Sequence, residues 1–426
     1  MAVPFLISLI VVQGNVFADT FWTSNLGVSA VSGMTSAVPM YMMITAIGLG
    51  LSTGIVTTIA FRLGKQDMDA AGRLAGNSIF LAIVISAVMS VLIFLSQDLI
   101  IDLMGAQDVS TEIHQYMLPF ILLSPITVMN VVFGGMLRAE GAAGRSTLVQ
   151  MSSVAINIVL DPILIFGLGM GVTGASLATV LSALFGVILS SMWYIRGKTT
   201  VKVSLKDLSP NKDVMRELMG VGGPRMVEGF VNNFVILIQR VFIIMASGTV
   251  GVSLFNVPFR YVSLGMVPVE AAGMASTPVI AANFGKEDYQ KMKDARRYVL
   301  KLAVMVGLIL MVVVFIAAPL LIDLFTLEPS MYDWYDEFVW NMRVYSVIIP
   351  MFAVQSICAS VLQAIKKAKY PMRITMIVGA FRMLVFWLAS PFGYQGITVA
   401  LVLSYVLSST LMYLVSDRCF RKACAA

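Results

Sequence analysis

Two acids of this chain, Asp19 and Asp161, fall inside stretches of apolar residues that are long enough to cross a membrane. A charge at the centre of a bilayer costs at least about 2.5–3.5 kcal/mol on insertion scales, so such residues face a bundle interior or a wet cavity. Asn157 precedes Asp161 by four residues and shares its helix face, and Pro162 perturbs that helix and frees backbone carbonyl groups. With Asp19, these oxygens predict a site for a proton or, with Asp19 and Asp161 as metal ligands, for Na⁺. The alternative is that each acid is only paired with a neighbouring polar group.

Other charged residues also lie in apolar stretches, namely Arg225, Arg240, Arg260, Arg343, Arg382, Glu228 and Glu270. We expect the arginines to have structural or gating roles. Glu228 and Glu270, with Arg260, Arg343 and Arg382, are candidates for contacts to substrate or for charge pairs. His114, the only histidine, falls in a loop, where we expect it to be solvated.

The composition excludes a water-soluble globular protein. Of the 426 residues, 58% are hydrophobic and 12% are charged, whereas soluble domains carry roughly 25% charged residues. There is no Walker-type phosphate loop, no metal-ligand spacing of cysteines and no recognisable catalytic constellation, so we expect neither ATP use nor an enzyme. The net charge of +6 follows the membrane pattern described below and does not imply nucleic acid.

Hydropathy predicts an all-α polytopic membrane protein with twelve transmembrane helices. The predicted spans are 2–25, 34–61, 74–97, 113–138, 146–167, 171–195, 217–246, 252–283, 298–326, 335–365, 371–391 and 393–416. The first is interpreted as a span and not as a cleaved signal peptide, because no basic segment precedes it.

The connections between these spans alternate in charge. One set holds most of the 29 Lys and Arg residues, and the other holds acids: Asp98, Asp102, Asp108, Glu112, Asp323, Glu328, Asp333, Asp336 and Glu337. Since positive loops stay on the cytoplasmic side, we expect a multi-pass protein of the plasma membrane with both termini in the cytoplasm.

The chain also repeats itself. Arg62–Asp67 aligns with Asn283–Asp288, Ile101–Leu103 with Ile322–Leu324, and Gly171–Gly174 with Gly393–Gly396. Six spans in each half make the repeat parallel, with an axis along the membrane normal, an arrangement found in transporters that alternate access. We predict an N-terminal six-helix lobe at 1–196, a cytoplasmic linker at 197–216 and a C-terminal six-helix lobe at 217–426, the two lobes being pseudo-symmetric bundles.

Several motifs resemble those of the multidrug and toxic compound extrusion (MATE) family of antiporters. They are Ala18–Trp22, Leu137–Gly141, Asn157–Pro162, Gly169–Ala175, Gly265–Pro268 and Phe381-Arg382. The resemblance covers essentially the whole chain. It is strongest to the DinF-type branch, in which the cation site lies in the N-terminal lobe. Carried over by position, it implies a coupling site of Asp19, Asn157, Asp161 and Thr179, with Asn130 nearby. The NorM-type acids of the C-terminal lobe correspond to Asn232 and Phe352 here, which argues against a site of that type.

The resemblance implies a secondary antiporter that exports amphiphilic, often cationic, organic compounds such as drugs and toxins in exchange for H⁺ or Na⁺. It implies no cofactor beyond that ion, no partner beyond the small-molecule substrate and the lipid bilayer, and a monomer. The alternative is a flippase for a lipid-linked oligosaccharide or other amphiphile of the same superfamily, which would favour a more basic cavity.

Overall fold

The computed structural model describes residues 2–323 and 332–424, and this part of the chain is helical and contains no strand. The predicted acid Glu328 and the end of the predicted span 298–326 lie outside the described residues. The first six long helices are α1 Ala2–Ser24, α2 Val28–Gly64, α3 Met68–Met104, α4 Ser110–Ala139, α5 Ala143–Pro162 and α6 Gly171–Ile195.

The later helices are α7 Lys212–Gly285, α8 Tyr289–Asp323, α9 Tyr335–Ser346, α10 Ile348–Ala364, α11 Lys369–Ala389 and α12 Gly393–Ala423. α7 is broken at Ser247 and at Gly248, whose φ of +62° and ψ of −157° suit glycine. This break separates the predicted spans 217–246 and 252–283. The single predicted span 335–365 is instead divided into α9 and α10, because Pro350 has no N–H for the carbonyl group of Ser346.

Ten helical stretches in the described ranges are long and apolar enough to cross a membrane. The last stretch, 369–423, contains two of the predicted spans, and α1 supplies the first, so every predicted span corresponds to a helical segment. The predicted all-α polytopic membrane fold is therefore confirmed.

The repeat is visible in the turns between helices. Gln66 and Glu287, related by the repeat, both have φ of +60°. An aspartate follows each of these residues. The Asp67 carboxylate accepts from the Ala70 N–H at 3.1 Å, and the Asp288 carboxylate accepts from the Lys291 N–H at 3.1 Å. The two halves thus begin α3 and α8 with the same acid-capped turn, which satisfies otherwise unpaired helix N–H groups.

The described chain forms two compact units, one reaching Gly229 and the other beginning at Phe230. In the first, α4 packs against both α2 and α6. The second has a core around Tyr345, Phe338 and Phe386. The lobe boundary predicted at 197–216 stays a prediction.

The predicted linker is fastened to α3 within the first unit. Asn77 is fully buried, and its Nδ2 donates to the carbonyl oxygens of Asp207 at 3.0 Å and Ser209 at 3.2 Å. Its Oδ1 accepts from the backbone N–H of Asn211 at 2.8 Å. Gly76 allows the backbone of Asp207 to approach, since a Cβ there would collide with it. One side chain therefore fixes three points of the linker.

Candidate functional site: two acids between α1 and α5

The structure brings together the two acids that the sequence singled out. The carboxyl groups of Asp19 on α1 and Asp161 on α5 lie next to each other. Two neighbouring carboxyl groups that are held away from water cannot both stay charged, unless a cation lies between them. Asn157 Nδ2 donates to Asp161 Oδ1 at 3.2 Å, as expected from the spacing of these residues.

A further residue, Asn15, joins this group from α1. Its Nδ2 donates to Asp19 Oδ2 at 3.1 Å. The pair Asn15 and Asp19 has the same four-residue spacing as Asn157 and Asp161, so each helix presents a carboxamide one turn before a carboxyl group. Our sequence analysis missed Asn15, although this repeated spacing was visible and could have identified it.

The group contains buried oxygens whose hydrogen-bonding capacity is unused. Within the described residues, no hydrogen-bond partner is found for Asn15 Oδ1, Asp19 Oδ1, Asn157 Oδ1 and Asp161 Oδ2. Buried polar atoms of native proteins are nearly always paired with protein, water or an ion. Carboxylate and carboxamide oxygens are hard ligands, so the residues present fit a proton, a hydrated proton or Na⁺.

The backbone of α5 changes character directly after Asp161. The α-helix ends at Pro162 and continues as a π-helical turn over Ile163–Gly167. Gly174 of α6 packs against this turn, and a Cβ there would lie 2.9 Å from the carbonyl oxygen of Leu164. π-helical turns are frequently found at functional sites. Here the turn ends the helix face that carries Asn157 and Asp161.

An aromatic group borders the acids. Tyr41 of α2 and Tyr116 of α4 lie close enough to Asp19 to interact with its charge, and Tyr116 also interacts with Asp161. Both rings pack on Phe120, with ring centroids 4.5 Å and 5.4 Å away. The sequence analysis did not single out these tyrosines, because a tyrosine in an apolar span does not by itself indicate what it faces.

Two further residues implied by the resemblance, Thr179 and Asn130, are not hydrogen-bonded to the acids in the described part of the chain. Thr179 Oγ1 donates to the carbonyl oxygen of Ala175 at 3.2 Å. Asn130 Oδ1 and Ser153 Oγ both face Gly186 of α6, where an added Cβ would collide with Asn130. Ser153 precedes Asn157 by one turn of α5. Asn130, on α4, therefore lies near the polar face of α5, one turn before Asn157.

The remaining charged candidates are not gathered into one site. Glu228 is 8% exposed and forms an ion pair with Arg225 at 3.0 Å. The Arg343 guanidinium lies 5.4 Å from the Phe315 ring centroid. Arg382 Nε donates to Ser404 Oγ at 2.9 Å, and its guanidinium lies 5.1 Å from the Tyr405 ring centroid. Arg240, Arg260 and Glu270 are exposed. For Glu228, the structure favours a charge pair.

The second unit has a polar group that the sequence analysis missed. Asn341 Nδ2 donates to the carbonyl oxygen of Leu254 at 3.1 Å, and its Oδ1 accepts from Thr398 at 2.7 Å. The Tyr345 and Thr398 hydroxyl groups lie 3.1 Å apart. The adjoining cavity is about 10 Å³ in volume. Because these groups satisfy one another, they serve to join helices.

Comparison with known proteins gives consistent results. A model of the MatE family matches residues 4–163 and 224–388. The "FAD transporter" of Shewanella oneidensis is 26% identical over 342 residues, which cover 78% of this chain and 75% of that protein. The "Multidrug export protein MepA" of Staphylococcus aureus strain N315 is 23% identical over 424 residues, covering 98% and 92%.

Solved structures share the whole fold. One is described as the "Outward-facing conformation of a multidrug resistance MATE family transporter of the MOP superfamily", with a TM-score of 0.94 at 25% identity, covering 99% of this chain and 95% of that one. A second, with the same TM-score, identity and coverage, is a MOP superfamily transporter from Pyrococcus furiosus, for which "reverse polarity of binding pocket suggests different function".

Proposed function

Because the chain belongs to the MatE family of membrane transporters, which are not enzymes, we propose that it is a secondary antiporter exporting amphiphilic, often cationic, organic compounds in exchange for H⁺ or Na⁺. The observation that carries this proposal is the pair of carboxyl groups of Asp19 and Asp161, each of which has a buried oxygen without a protein partner among the described residues. The similarity to a multidrug export protein supports organic compounds as substrates.

In this proposal, the acids take up the coupling ion when the transporter is open to the outside. Asn15 and Asn157 orient the two carboxyl groups through their Nδ2 atoms and offer their Oδ1 atoms to the ion. Neutralising the acids permits α1 and α5 to pack more closely, since the desolvation cost of a bare charge is removed. An ion can drive the conformational change only by binding one state more tightly than the other.

The charge pattern of the loops supports both termini on the cytoplasmic side, in the plasma membrane. In this arrangement the repeated halves 1–196 and 217–426 act as the moving lobes, with 197–216 as the linker between them. A monomer suffices for this mechanism, because the coupling residues all come from one chain.

The test is efflux of a fluorescent cationic dye from proteoliposomes under an imposed pH gradient or Na⁺ gradient. Asp19→Asn keeps the shape of the side chain but removes the titrating group, and we expect gradient-driven efflux to be abolished while the protein remains folded. The matched control is Asp108→Asn, which makes the same change at an exposed residue and should transport normally. Full coupled efflux in Asp19→Asn would disprove the proposed coupling site.

An anionic amphiphile, such as a dinucleotide or a lipid-linked sugar phosphate, is a second candidate substrate. It is favoured by the relative described as a FAD transporter and by the half-buried arginines Arg343 and Arg382. The same proteoliposomes loaded with FAD test it. Gradient-driven loss of FAD without dye efflux would favour this substrate class over cationic compounds.

A further inference from the structure

A groove of about 610 Å³ lies where α4 and α6 end and α5 begins, away from the acids of the proposed coupling site. Its lining consists of Glu140, Gly141, Ala142, Gly144, Arg145, Gly197, Lys198, Thr199 and Thr200. Both turns that form it are hydrogen-bonded: the Ala142 N–H donates to the Leu137 carbonyl at 2.9 Å, and the Lys198 N–H donates to the Trp193 carbonyl at 2.9 Å. The groove is therefore preformed.

The one acid of the groove is already occupied by the protein. Glu140 Oε1 accepts from the Tyr194 hydroxyl at 2.5 Å, and its Oε2 accepts from the Thr200 N–H at 2.7 Å. A carboxylate held by protein donors on both oxygens binds the two walls of the groove to each other. Glu140 therefore holds the shape of the groove, and the hydrogen-bond donors that are available to a ligand belong to other residues.

Those donors are basic side chains and helix N–H groups. The Arg145 guanidinium lies 5.7 Å from the Trp193 ring centroid and donates to the Lys198 carbonyl oxygen, which fixes its position. The side chains of Arg145 and Lys198 are exposed. α5 begins at this point with no side-chain cap. The Arg145 and Ser146 N–H groups donate to the Ala142 carbonyl oxygen, whereas those of Ala143 and Gly144 precede the first bonded turn and have no such partner in the described residues. At Gly144 no atom lies within 4 Å of where a Cβ would stand, which leaves these groups accessible.

The groove is at the end of the helices that carries the basic loops, with Trp193 and Tyr194 beside it. Tryptophan and tyrosine are enriched at the level of lipid headgroups, and basic pockets between transmembrane helices on the cytoplasmic side bind anionic headgroups. We propose that this groove binds a phosphate group, supplied by the headgroup of an anionic phospholipid. The proposal depends on the membrane-spanning fold and on no part of the transport cycle.

The test is binding of phosphatidylglycerol to the purified full-length protein, measured by native mass spectrometry with phosphatidylcholine as the reference lipid. In the double variant Arg145→Gln/Lys198→Gln, we expect phosphatidylglycerol affinity to fall about thirtyfold, because each basic residue near an anionic surface contributes roughly a fivefold factor. The control Lys206→Gln/Lys212→Gln removes the same charge from exposed positions outside the groove and should change affinity less than about twofold.

A second measurement uses only the wild-type protein, so it does not depend on the folding of a variant. Adding phosphatidylglycerol to phosphatidylcholine nanodiscs should slow hydrogen exchange at the first N–H groups of α5. Competition by inorganic phosphate would identify free phosphate as a second source of the same ligand, and absence of competition would restrict the site to lipid. Equal binding of both lipids, or equal losses in the two double variants, would overturn the proposal. Dye efflux is not a readout here, so failure of this site and failure of the antiporter proposal are distinguishable.

Discussion

At the scale of single residues, the proposed coupling site is built from one pattern used twice, an asparagine four residues before an aspartate. The half on α5, Asn157 and Asp161, could be predicted from the sequence because Pro162 and the spacing mark it. The half on α1 was predicted only in part. Asp19 is recognisable as an acid in an apolar span, whereas the role of Asn15 depends on which face of α1 meets α5, and hydropathy does not determine that face.

The unpartnered Oδ1 of Asn15 makes its contribution testable. Replacing Asn15 with Ala removes the donor that orients Asp19 and one potential ion ligand, and we expect the ion concentration needed for half-maximal efflux to rise about tenfold, equivalent to one hydrogen bond to a charged group. The measurement is dye efflux as a function of pH and of Na⁺. Asn25→Ala, an exposed asparagine near the end of α1, is the control, and an unchanged half-maximal concentration in Asn15→Ala would exclude a ligand role.

The helix cap at Asp67 gives a prediction about stability. Asp67→Ala removes the acceptor for the Ala70 N–H and should destabilise the protein by about 1 kcal/mol, the usual cost of losing an N-cap. Asp67→Asn retains an acceptor oxygen and should lose much less stability. Thermal unfolding in detergent measures both, and equal effects of the two variants would mean that the salt bridge to Arg62, 3.4 Å away, is the dominant interaction.

At the scale of elements, α2 and the beginning of α7 form a contact that only small residues permit. A Cβ on Gly54 would lie 2.7 Å from the Leu218 carbonyl oxygen and 3.1 Å from the Gly222 nitrogen. An ion pair between Arg62 and Glu217, at 2.7 Å, closes the same contact. The helix that packs against Gly54 is set by contacts between residues far apart in the chain and could not be predicted from the sequence.

Substituting Gly54 with Ala should force α2 and α7 apart at this point. If transport requires this contact to form and break, we expect Gly54→Ala to reduce efflux and to raise the reactivity of a cysteine introduced at Met226, measured by maleimide labelling. Gly220→Ala is the matched control on α7, because nothing lies within 4 Å of its added Cβ. Equal labelling of the two glycine variants would contradict the proposed importance of this contact.

At the scale of the whole molecule, more of the structure could be predicted from the sequence than at the scales of residues and elements. Spans, the repeat and the basic loops are properties of composition along the chain, and a membrane restricts the fold to helices that satisfy their own hydrogen bonds. What could not be predicted is how the linker is held. The bonds from Asn77 to the linker join residues more than a hundred positions apart, and an asparagine near a helix start is ordinary in sequence terms.

The attachment of the linker predicts a protease phenotype. Asn77→Ala leaves the carbonyl groups of Asp207 and Ser209 and the Asn211 N–H without their protein partner, at a cost of about 1–3 kcal/mol for each group that water does not reach. We expect the segment 197–216 to become sensitive to trypsin under conditions in which the wild type resists cleavage. Asn283→Ala serves as the control, because Asn283 Nδ2 bonds within its own helix at 2.9 Å. Cleavage at the same rate in all three proteins would show that Asn77 does not hold the linker.

The clamp at Asn77 has a consequence for how the protein is made. Every part of this attachment is synthesised before α7 begins: Asn77, the linker backbone that it holds, and the glycines of α2 that contact α7. At roughly 5–20 residues per second, the second half of the chain requires on the order of 10–40 s more. During that interval the nascent first half already has every residue needed to hold its own tail in place, so the linker can be attached to α3 before the second half is complete.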